Sequence, residues 1–441
     1  MSYSVTIPLD TQTAHITLAA LHDTCPPRWV SDVSVLFDSV EDLERVAASG
    51  PVAVRRAMAA NPQIPSRIRN RLVHDADPDV RRSLAVNSAV SQRILRQLAQ
   101  DVDPDVRIWV ARHAKVPADV LTILSHDAES GVRQAVAHCG AHLPSLAIAL
   151  SHDADTAVRR AVAQVTRIPE VLDTLGHDPQ AVVRLEVARN AYLSHVVEPS
   201  LLAILEALGQ DADATVRAAV AKRTSTPAET LEALAHDPDP MVRIALAHDG
   251  YISETLMTVL AHDAEPFVRH ALATRWRLPE AILNTMLADT NAAVREYVAE
   301  HTTHPDALDL LSGDTDAEVR RAVAQNSHTP PDILTMLASD QDGAVRLAVA
   351  ENANTTRVAL KALSQDASPA IRAAVGAHPA TPSAVLMTLD KDPESSVRLG
   401  VAHNQHAPRS SLELLSHDAD AEVRRTAAGW LASTRTTGAS A

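Results

Sequence analysis

A Val-Arg pair, once Ile-Arg, returns fifteen times along the chain, its first residue falling at 54, 80, 106, 132, 158, 183, 216, 242, 268, 294, 319, 345, 371, 397 and 423. The step is 26 residues eleven times, 25 twice and 33 once. A recurrence of this length argues against one shared globular core. Each unit is a single supersecondary element whose apolar face stays open until a copy of itself covers it. The 441 residues therefore count units rather than domains.

Residues 226–247, TPAETLEALAHDPDPMVRIALA, show what a unit encodes. The spacing predicts two short helices. The first opens at Thr226-Pro227, with Thr as the cap, Pro in the first turn and Glu229 completing a capping box. Thr329-Pro330 and Thr381-Pro382 repeat that start, and Leu231 and Leu234 share one face. The second helix opens at Asp239-Pro240 and buries Val242, Ala245, Leu246 and Ala247. The place of Ala247 is Ala in fourteen of fifteen units and Gly376 in the other, so a neighbouring helix packs close there. Units often close on Asn (Asn61, Asn87, Asn190, Asn326, Asn352 and Asn404), a residue that tolerates the left-handed conformation ending many helices.

The most regular feature is polar. An Asp stands five residues before the Val in all fourteen intervals, and an Arg follows the Val in all fifteen units. Asp75 with Arg81, Asp101 with Arg107, Asp237 with Arg243 and Asp263 with Arg269 are examples. Fourteen copies of one pair fit a structural ladder, in which each guanidinium bridges turns by charge-assisted bonds, better than a catalytic site. His-Asp pairs recur too, as at 126–127, 177–178, 236–237 and 262–263. Equal pairs in a row do not converge on one metal, and a His at a helix carboxyl end is favourable on its own account. No Gly-rich phosphate loop, nucleophile elbow or HExxH is present. The expectation is a non-enzyme without cofactor or metal.

Aromatics are 2% of residues, so the interior must be Leu, Val, Ile and Ala, which suits thin helical layers. The formal charge of −15 disfavours general binding to nucleic acid or anionic membrane. Lys occurs at four positions against 36 Arg, a skew read as GC-rich coding and a bacterial source. Cys25 and Cys139 form no CxxC and no metal spacing, the first residues lack a signal-peptide pattern, and no stretch reaches the ~18 apolar residues of a membrane span. A cytoplasmic protein is expected.

The pattern VRxAVAxNxxTPxxxLxxLxxD, as in Val319-Arg320 through Asp340, resembles the variant leucine-rich repeat, itself similar to HEAT repeats. The resemblance covers residues 51 to about 428. It implies an all-α fold: a right-handed α-solenoid superhelix of about fifteen two-helix repeats, with room for one 3-10-like helix per repeat. A described member of that family carries a cysteine-ligated iron–sulfur cluster before its repeats. This chain offers Cys25 alone there, so the cluster is not carried over.

Three segments depart from the repeat. Residues 1–50 are expected to cap the open end of a solenoid spanning 51–431, the extra residues at 189–200 to form a longer loop, and 432–441 to be a disordered tail. Among off-consensus aromatic and apolar residues, Met241, Tyr251, Phe267 and Trp276 are expected to form an exposed strip, and Trp109 and Tyr297 replace a usual Ala. Such strips mark partner sites. Residues 51–116 carry twelve basic residues against six Asp, and Arg56, Arg67, Arg69, Arg71, Arg82, Arg93 and Arg96 make a candidate basic patch. The leading expectation is a protein- or peptide-binding scaffold, and the alternative is nucleic-acid binding through that patch, as some HEAT-like DNA glycosylases do.

Overall fold

The computed structural model describes residues 40–195, 198–248, 252–275 and 278–437, and among them there is no strand. Two compact units emerge among the described residues, 40–220 with 225–227, and 221–224 with 228–437. Both are built from the same helix pair.

In the first unit, the helices Pro78–Val86 and Pro104–Ala111 are successive second helices, and Gln92–Leu98 is the first helix between them. Second helices pack on second helices of the next repeat and on their own first helix. Val80 and Leu84 face inward together because positions four apart share a helix face, and Ala85 is buried beside them. The second unit repeats this from Ala228–Ala235 and Pro240–His248 onward. Both members of each pair are α-helices. The 3-10 conformation allowed by the resemblance is seen instead in the insertion, at Ala191–His195. There Leu193 is fully buried and Tyr192 exposed, so this part of the longer connection is anchored to the core.

Helix Val40–Ser49 packs against the second helix Val52–Ala60 and the next first helix Ser66–Leu72, and buries Leu43 and Ala47. This helix falls within the expected cap, where a first helix stands in other repeats. The rest of the expected cap, with Cys25, lies outside the described residues. At the other end, helix Ala421–Thr437 continues past residue 431, where a disordered tail was expected, and residues 438–441 lie outside the described ones.

The ladder has a definite wiring. Arg107 donates from Nε and Nη2 to both carboxylate oxygens of Asp127 in the next repeat, at 2.7 and 2.8 Å. Its Nη1 donates to the main-chain carbonyl of Asp101, six residues back, at 2.7 Å. Asp127 Oδ1 also accepts the amide of Glu129 at 3.0 Å, which closes the turn. The same fork runs from Arg81 to Asp101 in the first unit, and from Arg243 to Asp263 and Arg269 to Asp289 in the second. Burial by itself would raise the Asp127 carboxyl. The Arg107 fork, the Glu129 amide and the Arg133 charge outweigh it and hold the group below the usual carboxylate range.

A second rail runs along the opposite ends of the helices, and it corrects two sequence readings. No described residue, Asn or otherwise, has a positive φ. Asn352 has φ −72° and ψ 125°, and its amide Nδ2 donates to Ala324 O at 2.7 Å and Asn326 O at 3.0 Å in the preceding repeat. Asn87, Asn190, Asn326 and Asn404 do the same. These residues satisfy the neighbour's orphan helix carbonyls instead of twisting the chain. His113 and His378 occupy the Asn position: Nε2 donates to Asn87 O or Asn352 O, and Nδ1 accepts an amide two residues on. The Thr before Pro is not a cap either. Thr226, Thr329 and Thr381 donate from Oγ1 to the carbonyl six residues back, of Val220, Val323 and Val375. The N-cap of the following helix is Pro330 or Pro382, with no side-chain bond. Backward bonding wins because the buried hydroxyl finds a helix-end carbonyl with a lone pair to spare: Val323 O and Val375 O accept it beside the main-chain amides of Asn326 and His378.

Candidate functional site

In the second unit, helices Pro240–His248 and Pro266–Ala273 lie side by side. Met241 and Phe267 each precede the inward Val of their helix, so the helical period turns them outward. They are 63% and 76% exposed, where other repeats place Asp79, Asp105 or Glu318. Between the two helices opens a cavity of about 420 Å³, at the low end of the ~300–1,000 Å³ typical of ligand sites. Met241, Ile244, Phe267 and Ala271 make its apolar lining, and His248, His270 and Glu265 its polar rim.

The next repeat extends the wall. Tyr297 meets His270 edge-on, with ring centroids 4.9 Å apart, and stacks on His301 at 4.1 Å. Burial, and then the Glu300 charge, push the Tyr297 phenol upward. His248 contacts Thr274 Oγ1 through Nδ1 at 3.3 Å. Burial first, then Lys222, His270 and Arg275, depress the His248 imidazole, which favours its neutral form. The structure therefore brings Met241, Phe267 and, through His270, Tyr297 together. Tyr251 and Trp276 lie outside the described residues, and Trp109 belongs to the first unit. Sequence reading missed Ile244, His248 and His270. Their signal was register: they stand two or six residues after the repeating Val, on the face that Met241 and Phe267 expose.

The candidate basic patch divides between two faces. Arg56 and Arg82 lie on second helices, whereas Arg67, Arg69, Arg71, Arg93 and Arg96 lie on the first helices Ser66–Leu72 and Gln92–Leu98. Several are engaged: Arg67 with Glu44, Arg82 with Asp79, Arg96 with Asp119, and Arg69 with the carbonyl of Ile64. The His of the His-Asp pairs turns back on its own helix, as His126 does to Thr122 O at 3.0 Å and His262 to Thr258 O at 2.9 Å. No cluster of three or more His, Cys, Asp or Glu suited to a metal is found among the described residues. Nor is any helix among them long and apolar enough to cross a membrane.

Residues 214–239 and 317–342 match the family model for the leucine rich repeat variant. These two repeats are leucine-rich repeat variants. A solved leucine-rich repeat variant, described as a novel repetitive structural motif, is 26% identical over 50% of this chain and 88% of its own, with a TM-score of 0.40. Kap95p, solved with RanGDP, is 12% identical over 95% of this chain and 60% of its own, with a TM-score of 0.35. Kap121p bound to Ste12p is 14% identical over 95% of this chain and 47% of its own, with a TM-score of 0.32. The chain thus spans less than two thirds of either Kap protein. No curated protein sequence matches it significantly. Outside the two matched segments, the same Val-Arg and Asp positions recur along both units.

Proposed function

We propose that this protein, with its two leucine-rich repeat variant segments, is a non-catalytic scaffold that holds a protein or peptide partner. The reading rests on the groove between Met241 and Phe267. Two large apolar side chains stand in solvent at positions where most other repeats place acids or small residues, Val182 being the exception, and they flank an open apolar cavity. Their exposure contributes nothing to the interior, so a role outside the fold accounts for it. The two rails tie each helix pair to its neighbours, so an incoming segment would supply most of the ordering cost.

The site accommodates one apolar anchor, with Tyr297 and His270 as a secondary wall. Affinity capture from native extract, with wild type beside a Met241→Ser/Phe267→Ser variant, tests this. At least one protein held by wild type should be lost, with the circular dichroism spectrum unchanged. Recovery of the same proteins by both would remove the groove as the binding site.

A further inference from the structure

A different surface, in the first unit, carries a second reading. At the carboxyl ends of its second helices two grooves open close to one another. One, of about 160 Å³, lies between Pro78–Val86 and Pro104–Ala111 and is lined by Trp109, Arg112 and Lys115. The other, of about 260 Å³, lies between Ser130–Gly140 and Thr156–Val165 and is lined by His138, His142 and Arg167. Helix Pro104–Ala111 packs directly on Ser130–Gly140. Arg112 links the grooves: its guanidinium lies 5.5 Å above the Trp109 ring, and its charge, after burial, depresses the His138 imidazole.

No carboxylate lines either groove. Arg112 and Arg167 are exposed and have no ion-pair partner among the described residues, while Lys115 donates to a main-chain carbonyl, that of Ser88, at 2.7 Å. In a chain of net charge −15, such a run of uncompensated cations beside an exposed Trp is a local inversion. We propose that this edge docks an acidic peptide segment, with carboxylates held by Arg112, Lys115 and Arg167 and an apolar side chain laid against Trp109.

Charge complementarity favours a peptide over nucleic acid. Nucleic-acid affinity is built from many phosphate contacts. Here three full charges are spread over neighbouring repeats. The opposite ends of the same helices carry Asp79, Asp103 and Asp105, about 12 Å away by the rise of an eight-residue helix. A long polyanion crossing the helices would meet those carboxylates, whereas a short acidic segment lying along the basic edge avoids them. Arg also suits carboxylate geometry, since its fork accepts two oxygens at once.

The test is selection of random twelve-residue peptides on the full-length chain, followed by titration of one selected synthetic peptide. Asp and Glu should be enriched over the starting library beside an apolar residue. The synthetic peptide should lose affinity by at least about tenfold in an Arg112→Glu/Arg167→Glu variant, and Arg112→Lys should retain most of it. Should charge reversal impair folding, Arg112→Gln/Arg167→Gln gives the same reading, with melting curves as the control. Absence of acidic enrichment overturns the proposal, as does equal binding of the peptide to the variant. So does tighter binding of a twenty-residue oligothymidine through the same arginines, which would assign the surface to single-stranded nucleic acid.

Discussion

Removing Arg320 tests whether the ladder joins repeats or merely decorates them. Arg320 and its partner Asp340 are 8% and 7% exposed at the side chain. The guanidinium makes bonds of 2.6 and 2.9 Å to the two carboxylate oxygens and a 2.7 Å bond to Asp314 O. At about 1.5–3 kcal/mol per charged bond, three bonds would sum to roughly 4.5–9 kcal/mol. Desolvation of the guanidinium offsets much of that, and loss of one partner of a buried pair costs about 3–5 kcal/mol. Asp340 keeps the amide of Asp342 and the charge of Arg346, which places Arg320→Met near the lower end, at about 3 kcal/mol. Adding Asp340→Asn retains the acceptor for that amide and removes the stranded charge, so the double variant should recover about half of the loss. Because repeats couple to nearest neighbours, the loss should also broaden or split urea unfolding, read by circular dichroism, with hydrogen exchange accelerated first on either side of Asp340. A single-variant cost below about 1 kcal/mol with one sharp transition would mean the pair behaves as a surface ion pair, and the ladder argument would be wrong.

The other rail, the packing and the acid response give further tests. Asn352→Ala strips the carbonyl of Ala324 of its side-chain donor, while that of Asn326 keeps the Thr329 amide, and should cost about 1–3 kcal/mol in urea unfolding, whereas His378→Asn should change stability by less than about 1 kcal/mol. Gly400→Ala should destabilise by about 1–3 kcal/mol in the same assay, because a Cβ there runs into the backbone carbonyl of Ala373 on the adjacent helix. Asp127, Asp314, Asp340 and Asp392 are held below the usual carboxylate range, so their stabilisation is present above the unfolded value near ~3.9 and is lost as pH falls through the folded one. Stability should therefore be retained near neutrality and drop steeply below about pH 4, with a shallower drop in Asp340→Asn, measured by melting curves across pH.

The helix pair was legible because the apolar period and the Asp-Pro starts are local signals, and both survive in the structure at Asp77 and Asp103. The ladder was legible as a pairing of residue types. Its target was not, because the carboxylate that Arg81 forks lies 20 residues on, whereas the Asp six residues back offers its main-chain oxygen instead. Thr226 and Asn352 were misread for a related reason. Local propensity favours a cap or a left-handed turn, but a buried carbonyl elsewhere competes for the same side chain and wins. The exposed Met241 and Phe267 were visible as departures from a recurring position. The basic edge at Arg112, His138 and Arg167 was not, since each residue belongs to a different repeat and only packing lines them up.

The forks of Arg159 and Arg184 are made alike, although their Asp partners stand 19 and 27 residues on. The link is indifferent to what is threaded between its ends, so long as a helix returns the next turn to the same place. A gene for such a protein can gain or shed whole repeats, or accept extra residues between helices, without rewriting any join. Its reach is thus open to adjustment by recombination in steps of one helix pair, and new surface chemistry can be tried in one repeat while its neighbours keep the frame.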